Sequence, residues 1–373
     1  MSGVAPGGPD DTPPESGLAA GVRAVFGGPP ADAPATRRSA PDPVDGARAA
    51  SAIAARAAAL LPGGLRERLS VDAWRAEVVR ESLALTVGRA AAATPVNAGT
   101  LTGARLLIER TMRAAAPPLR GTDHAAPLDG SVRGEWVRGP RARRTDAVVL
   151  YVHGGGFVAG SARGYRGVAS RISTATRLPV FTVDYRLAPE HPFPAAPDDV
   201  AAAFGYLLAC GVRPERIVVA GDSAGGFLAA HLALRRADGG LPGPAALVLF
   251  SPIADLTLGT AADGPAARDG LLSEPVARRA ISRFTDTPFD LRPTRGTWLP
   301  PLLVQAGDTE FFGADAAELV RRWQVAGGHA RLHRWPGRLH AFQTLPVLFP
   351  EARAAYRAAA RFVAAHLDPA AAA

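Results

Sequence analysis

The sequence predicts an α/β fold built around a mostly parallel central sheet. Short apolar runs, several of them ended by glycine or proline, alternate along the chain with longer stretches of helical pattern. The apolar runs are nearly continuous, which is typical of strands buried on both faces of a parallel sheet. Alternating strands and helices indicate such a sheet with helices packed against it. In this class of fold, chemistry gathers at the carboxyl ends of the strands.

The N-terminal part of the chain divides into two stretches. Residues 1–45 are dominated by Pro, Gly, Ala, Asp and Ser, which predicts a disordered tail. From Gly46 to about Ala116 the pattern is helical, and Ser70 is a candidate N-cap for a segment whose apolar residues recur at a spacing near 3.6.

The strands follow. Residues 127–139 have the pattern of an edge hairpin. The apolar runs that predict the core strands cover residues 147–153, 178–185, 216–221, 245–253, 300–307 and 330–337. Helical patterns cover residues 198–210, 224–237, 314–326 and 351–366.

Composition and charge exclude several other classes of protein. The 373 residues are 47% hydrophobic and 20% charged, which is ordinary for a globular protein. The net charge of +8 is carried mainly by scattered arginines without interleaved aromatic residues, so we expect no nucleic-acid partner. Cys210 is the only cysteine, which excludes an intrachain disulfide and a cysteine-based metal cluster. The sequence shows no secretory signal pattern and no membrane span, so a cytoplasmic location is the default expectation.

A serine lies at the turn between a predicted core strand and the helical stretch after it. The sequence there reads Gly221-Asp222-Ser223-Ala224-Gly225, a G-x-S-x-G pattern in the strand-to-helix setting that gives it meaning. Glycines on both sides remove the Cβ atoms that would collide as strand and helix approach. The helix N-terminus supplies positive partial charge where an oxyanion develops. Although glycine-rich turns also show this pattern, the setting favours Ser223 as a nucleophile.

A serine nucleophile needs a base, and the positions of the histidines narrow the choice. His231 lies eight residues beyond Ser223 on the same predicted helix, too far along it to reach the hydroxyl. His153 draws attention because three glycines follow it, but it precedes the serine, and the order in this architecture is serine, acid, histidine. We expect His153 to brace its turn by hydrogen bonding. His340 follows the last predicted strand and is the predicted base.

Two carboxylates follow the strand predicted over residues 300–307. Asp308 and Glu310 both qualify by position, since either could accept a hydrogen bond from the imidazole Nδ1–H. Each could instead cap the helix that follows. The residues alone leave both candidates open.

Several motifs occur together in a specific order. They are HGGGFVAGS (153–161), VDYRLAPEHPFPAAPDD (183–199), VAGDSAGG (219–226), FSPIADLT (250–257) and WPGRLHAFQ (335–343). In this order and spacing they resemble the hormone-sensitive-lipase-like esterases, a family of α/β-hydrolases. The resemblance covers residues 119–366, and it implies hydrolysis of small-molecule esters with short to medium acyl chains, without cofactor or metal.

The resemblance also implies roles for particular residues. Ser223 is the nucleophile and His340 the base. The oxyanion donors are the backbone N–H groups of Gly154, Gly155 and Ala224.

The resemblance also bears on the choice of acid. Glu310 takes the place of the first aspartate in the family's Asp-Pro-Leu motif, with two phenylalanines after it. We therefore prefer Glu310 to Asp308.

The resemblance further predicts the domain organisation. Residues 46–118 contribute to a helical cap, and residues 119–373 form the catalytic domain with a cap insertion near 254–298. The segment 284–301 is shorter than its counterpart in the family. A catalytically weak hydrolase or a small-ligand receptor on the same fold is therefore one alternative, and a lactonase or amidase is another. Family members can pair through the sheet edge or the cap, so a homodimer is one state to test.

Overall fold

An eight-stranded sheet forms the centre of the structure, a computed structural model that describes Phe26 and residues 98–127, 130–262, 269 and 271–368. The strands are β1 (Asp123–Ala125), β2 (Gly134–Arg138), β3 (Val148–Val152), β4 (Val180–Val183), β5 (Ile217–Asp222), β6 (Ala246–Phe250), β7 (Leu302–Gly307) and β8 (Ala330–Trp335). They lie in the order β1-β2-β4-β3-β5-β6-β7-β8. The pairs β1–β2 and β2–β4 are antiparallel, and all other neighbours are parallel. The predicted fold class is therefore confirmed.

The helices cover both faces of this sheet. They are α1 (Ala98–Ala115), α2 (Ala162–Thr176), α3 (Ala195–Ala209), α4 (Ser223–Asp238), α5 (Gly259–Ala262), α6 (Glu274–Phe284), α7 (Gly313–Val325) and α8 (Ala352–Leu367). Short 3₁₀ turns lie at Pro214–Arg216 and Phe342–Thr344.

Alternate residues of the central strands pack into separate apolar layers. Val149 and Tyr151 of β3 lie in the layer formed with α2 and α8, whereas Leu150 lies in the layer formed with α3, α4 and α7. Every residue of β3 is buried. Burial on both faces explains why the core strands lack a polar alternate position.

The predicted core strands and helices are present, with ends that differ by up to three residues. The edge hairpin is also present, but its first strand, β1, lies before the predicted segment. Helices α2, α5 and α6 were not predicted. Helix α2 is rich in Gly, Ser and Thr, which weakens the helical pattern. Its Gly167 is needed for close packing, because a Cβ there would lie 1.5 Å from the carbonyl oxygen of Ala116.

The predicted N-terminal segments lie mostly outside the described residues. Helix α1 confirms the last part of the helical stretch predicted from Gly46 to about Ala116. Ser70 and the segment that it was predicted to cap lie outside the described residues. Phe26 is half-buried against the core, and the guanidinium carbon of Arg138 lies 4.6 Å from its ring centre. The tail, the cap and the domain boundaries stay predictions. Among the described helices, none is both long and apolar enough to span a membrane.

Candidate active site

Ser223 begins α4 at the carboxyl end of β5, in a strained turn. Its φ angle is +51°, in the left-handed region that costs a non-glycine residue energy. In such a turn the serine hydroxyl projects outward from the carboxyl edge of the sheet. Ser223 is 9% exposed.

The glycines that flank Ser223 allow this turn to sit close against β3. A Cβ on Gly225 would lie 2.1 Å from the carbonyl oxygen of Val152, and one on Gly221 would lie 2.6 Å from the carbonyl oxygen of Gly225. These backbone atoms cannot be displaced without moving strand β3 or helix α4. The predicted reason for glycine on both sides of the serine is therefore confirmed.

His340 reaches Ser223 from the loop after β8. Its Nε2 lies 2.8 Å from Ser223 Oγ, and the side chain is buried with 8% of its surface exposed. Gly307, at the end of β7, lets this loop pack closely, because a Cβ there would lie 1.9 Å from the carbonyl oxygen of Arg338. The structure thus brings together the serine and the histidine that the sequence singled out.

Glu310 lies buried at the start of the loop after β7. Its Oε2 accepts hydrogen bonds from Ser251 Oγ at 2.6 Å and from the Gly307 N–H at 3.0 Å. Ser251 Oγ also accepts a hydrogen bond from the Ala341 N–H at 2.9 Å. Ser251 therefore connects the carboxylate of Glu310 to the backbone of the residue that follows His340.

Two buried atoms of the site have no hydrogen-bond partner among the described residues. These atoms are Oε1 of Glu310 and Nδ1 of His340. They are the pair that an acid and a base of a triad would join. Burial raises the pKa of Glu310 well above its ordinary value and lowers the pKa of His340, because both charged forms lose solvation.

Asp308, the other carboxylate at this strand end, lies in a different environment. Its side chain is exposed, and its Oδ1 accepts a hydrogen bond from the Gly337 N–H at 2.6 Å. This contact braces the turn after β8 rather than the histidine ring. Of the two carboxylates, Glu310 is the buried one, and it is the one connected through Ser251 to the residue after His340.

The loop after β3 carries two of the three predicted oxyanion donors, Gly154 and Gly155, and the first of them is already engaged. The Gly154 N–H donates to Oδ1 of Asp222 at 2.9 Å, so it is not free to bind an oxyanion. The prediction for Gly154 is therefore wrong. Glycine is required there for another reason, since a Cβ would lie 2.2 Å from Oδ2 of Asp222.

The next two glycines have N–H groups without an acceptor in the part of the chain that the structure describes. Gly155 and Gly156 have φ angles of +116° and +62°. A Cβ on Gly155 would lie 2.2 Å from the carbonyl oxygen of Ala159. Sequence reasoning missed Gly156, and the third glycine of the motif was the available signal.

Asp222 and His153 hold the loop after β3 in place. Besides the Gly154 N–H, Asp222 accepts hydrogen bonds from the hydroxyls of Tyr151 at 2.6 Å and Tyr165 at 3.3 Å. Burial raises the pKa of Asp222 to about 6, although these donors lower it. His153 stacks on Tyr185 with ring centres 4.3 Å apart, and its Nδ1 lies 2.8 Å from the Gly154 carbonyl oxygen. The expected bracing role of His153 is confirmed.

Three phenylalanine rings pack against one another where the loop after β3, helix α4 and helix α6 meet. Phe157 follows Gly156, and its ring stacks on Phe284 of α6 with centres 3.9 Å apart and planes 8° apart. Phe227, one helical turn after Ser223, meets Phe157 edge-on at 5.7 Å. All three phenylalanines are fully buried. Within the described ranges, no group of three or more His, Cys, Asp or Glu side chains forms a metal site.

The fold and the paired serine and histidine define the α/β-hydrolase class, and comparison with known proteins agrees. The α/β-hydrolase fold family matches residues 149–344. An acetyl-hydrolase of Streptomyces hygroscopicus is 38% identical over 241 residues, which are 63% of this chain and 80% of that protein. Carboxylesterase NlhH of Mycobacterium tuberculosis is 33% identical over 268 residues, covering 67% of this chain and 83% of its own.

Comparison with solved structures indicates which family of α/β-hydrolases the chain resembles. A crystal structure of an esterase from the bacterial hormone-sensitive lipase family has a TM-score of 0.67 and 32% identity, and covers 78% of this chain and 98% of its own. A hormone-sensitive lipase from a metagenome library has a TM-score of 0.70 and 28% identity. The match covers 78% of this chain and 99% of that protein. The chain belongs to the hormone-sensitive-lipase-like esterases of the α/β-hydrolase fold and is a serine ester hydrolase.

Proposed function

We propose that this chain hydrolyses carboxylic esters with short to medium acyl chains, using Ser223, His340 and Glu310 as a catalytic triad. The observation that carries the proposal is the 2.8 Å contact between Ser223 Oγ and His340 Nε2 at a left-handed strand-to-helix turn. A hydroxyl in this position can lose its proton to the imidazole as it attacks a carbonyl carbon.

In the first half-reaction, Ser223 Oγ forms a bond to the ester carbonyl carbon while its proton passes to His340 Nε2. The tetrahedral intermediate then collapses, the bond to the alcohol oxygen breaks, and His340 returns the proton to the departing alcohol. A water molecule repeats the sequence on the acyl-enzyme and releases the carboxylic acid. Each half-reaction leaves His340 neutral.

The negative charge on the tetrahedral intermediate requires fixed donors. We assign these to the backbone N–H groups of Gly155, Gly156 and Ala224. The first two have no acceptor among the described residues, and Ala224 lies in the first turn of α4, where N–H groups lack helical partners. Such donors act strongly in a site with little exposure to water.

Glu310 is proposed to steady the imidazolium that forms at His340. Its free Oε1 and the free Nδ1 of His340 are the two atoms that would join, and Ser251 connects the two loops. A hydrogen bond between these two atoms would hold the imidazole in the tautomer that carries its proton on Nδ1. It would also offset the free-energy cost of forming a buried imidazolium.

The contact between His340 and Ser223 also bears on the alternative functions. A receptor that only binds its ligand does not need a histidine within hydrogen-bond distance of the serine. Lactones and amides react through the same steps, so a lactonase or amidase differs in substrate shape and leaving group rather than in these residues. Hydrolysis of p-nitrophenyl butyrate compared with a γ-lactone and an anilide distinguishes these activities, and an ester rate that does not exceed the other two would contradict the proposal.

The stacked pair Phe157 and Phe284 is proposed to limit the length of the acyl chain. We expect p-nitrophenyl esters with two to four acyl carbons to be hydrolysed fastest. Phe284→Ala should raise the ratio of octanoate to acetate kcat/KM by at least about fivefold, since one methylene in an apolar pocket is worth about tenfold or more.

Two further variants test whether a change in the octanoate-to-acetate ratio comes from the Phe284 ring itself. Phe362→Ala removes a half-buried ring on α8 that contacts His366, and should leave the ratio unchanged. Because Phe284 is fully buried, its truncation costs about 3–5 kcal/mol of stability, and Phe284→Leu offers a folded substitute. An unchanged ratio in both Phe284 variants would show that this ring does not limit the acyl chain.

The pH dependence follows from the burial of His340. Burial lowers the pKa of His340 from its ordinary value of 6.5, and the negative charge of Asp269 acts in the opposite direction without reversing the shift. Because the neutral imidazole accepts the proton, kcat/KM for p-nitrophenyl butyrate should fall as pH drops through a midpoint below 6.5. A midpoint above about 7 would show that an ionised carboxylate outweighs burial.

A further inference from the structure

Arg105 on α1 connects this helix to two loops beside the site. Its Nε donates to the Val158 carbonyl oxygen at 2.7 Å, and its Nη2 donates to the Ala188 carbonyl oxygen at 2.9 Å. Its Nη1 and Nη2 also donate to the two carboxylate oxygens of Glu190 at 2.8 and 2.7 Å. One guanidinium therefore contacts three residues more than 50 positions away in the chain.

The two carbonyls belong to segments that already hold each other. The Ala188 N–H donates to the Phe157 carbonyl oxygen at 3.0 Å, which joins the loop before α3 to the loop after β3. Val158 lies two residues after Gly156, whose N–H is a proposed oxyanion donor. Arg105 thus contacts the backbone on both sides of this junction.

The chemistry of the guanidinium suits this task. Its planar fork presents several donors in fixed directions, so it can bind two carbonyls and a carboxylate at once. The ion pair with Glu190 is half exposed on the glutamate side and contributes little by itself. The charge-assisted bonds to the two carbonyls are better shielded, since the Arg105 side chain is only 25% exposed.

The position of α1 does not depend on Arg105 alone. Leu101, Met112 and Ala115 on the same helix are buried. The Ala115 carbonyl oxygen accepts a hydrogen bond from the Val347 N–H at 3.1 Å. A variant at Arg105 should therefore keep the helix in place and change mainly the loops that the guanidinium contacts.

We propose that Arg105 is a positioning residue that fixes the loop of Gly155 and Gly156, so that their N–H groups are aimed at the oxyanion before substrate arrives. The inference rests on the proposed function. Preorganised donors stabilise the transition state more than the bound ester, so Arg105 affects kcat more than KM.

The test compares Arg105→Met with Arg110→Met, a matched variant at an exposed arginine on the same helix. With p-nitrophenyl butyrate, Arg105→Met should lower kcat by about 10- to 100-fold and change KM by less than about twofold, because loss of one oxyanion donor costs about 100- to 1,000-fold and misplacement costs less. Binding of a trifluoromethyl ketone, which forms a tetrahedral adduct, should weaken in proportion to kcat.

Two further variants separate the contacts of Arg105. Arg105→Lys keeps the charge but cannot bind both carbonyls, so it should recover only part of the activity. Glu190→Gln removes the ion pair and keeps the carbonyl contacts, so it should lose less activity than Arg105→Met.

Three results would overturn the inference. The first is a kcat for Arg105→Met equal to that of Arg110→Met, and the second is a rise in KM at constant kcat. The third is full recovery of activity by lysine. A wild-type protein without ester hydrolysis would overturn the proposed function as well, whereas normal wild-type turnover with an equally active Arg105→Met would overturn this inference alone.

Discussion

Ser223→Ala is expected to lower kcat for p-nitrophenyl butyrate by about 10⁴- to 10⁶-fold, because the variant has no atom that can form the acyl-enzyme. A loss of 10⁴-fold corresponds to about 5 kcal/mol of transition-state stabilisation. The proposed backbone donors of Gly155 and Gly156 are unchanged in this variant, so a small rate above that in buffer should persist. The rate is measured from p-nitrophenolate release at saturating ester.

The same variant should remain folded. The hydroxyl of Ser223 contacts His340, and alanine fits the small volume at the start of α4. Alanine also has a Cβ, so the cost of the +51° φ angle is unchanged to first order. Its Tm should lie within a few degrees of the wild-type value, as followed by circular dichroism. Turnover within about tenfold of wild type would rule out Ser223 as the nucleophile.

Glu310→Gln is expected to lower kcat by about 10²- to 10⁴-fold, because the amide cannot stabilise the imidazolium of His340 and can hold the wrong tautomer. The change is nearly isosteric. Burial already raises the pKa of Glu310, so removing the charge should not destabilise the fold. KM should change little, since the ester does not contact this side chain in the proposed mechanism.

Asp308→Asn is the matched control for the acid. Asp308 is exposed and contacts the Gly337 N–H, and an asparagine oxygen can accept the same hydrogen bond. We expect kcat within about twofold of wild type for this variant, in line with surface changes generally. If Asp308→Asn lost the activity and Glu310→Gln kept it, the roles of the two carboxylates would be reversed.

Much of the fold was predictable because its signals are local. Buried parallel strands produce continuous apolar runs, and the nucleophile turn produces glycines on both sides of Ser223. Helix α2 was missed because its packing requires a small residue: Gly167 allows the carbonyl oxygen of Ala116 to approach, at the expense of helical pattern. Packing between distant segments of this kind leaves little trace in a single sequence.

The site was predictable in part for the same reason. Ser223 and His340 lie at strand ends whose order along the chain indicates their proximity. Gly154 was wrongly chosen as a donor because its hydrogen bond to Asp222 depends on how the β3 and β5 ends meet in space. Ser251 lies in the FSPIADLT motif, but its role was missed because its hydrogen bonds to Glu310 and the Ala341 N–H depend on how the loops after β7 and β8 meet in space.

The junction made by Arg105 depends on the same kind of long-range contact. Its partners Val158, Ala188 and Glu190 lie between 53 and 85 positions away along the chain. Glu190 lies in the proline-rich motif at residues 183–199, and nothing in that motif indicates its ion pair with Arg105. Contacts of this type become visible only once the fold has brought α1 beside the loop after β3.

The most direct test of the nucleophile is covalent capture by a serine-directed fluorophosphonate, followed by peptide mass spectrometry. The wild-type protein should carry one adduct, on the peptide that contains Ser223, and hydrolysis of p-nitrophenyl butyrate should fall in step with labelling. Ser223→Ala should remain unlabelled. An adduct on another residue, or full inactivation without an adduct at Ser223, would contradict the assignment of Ser223 as the nucleophile of this esterase.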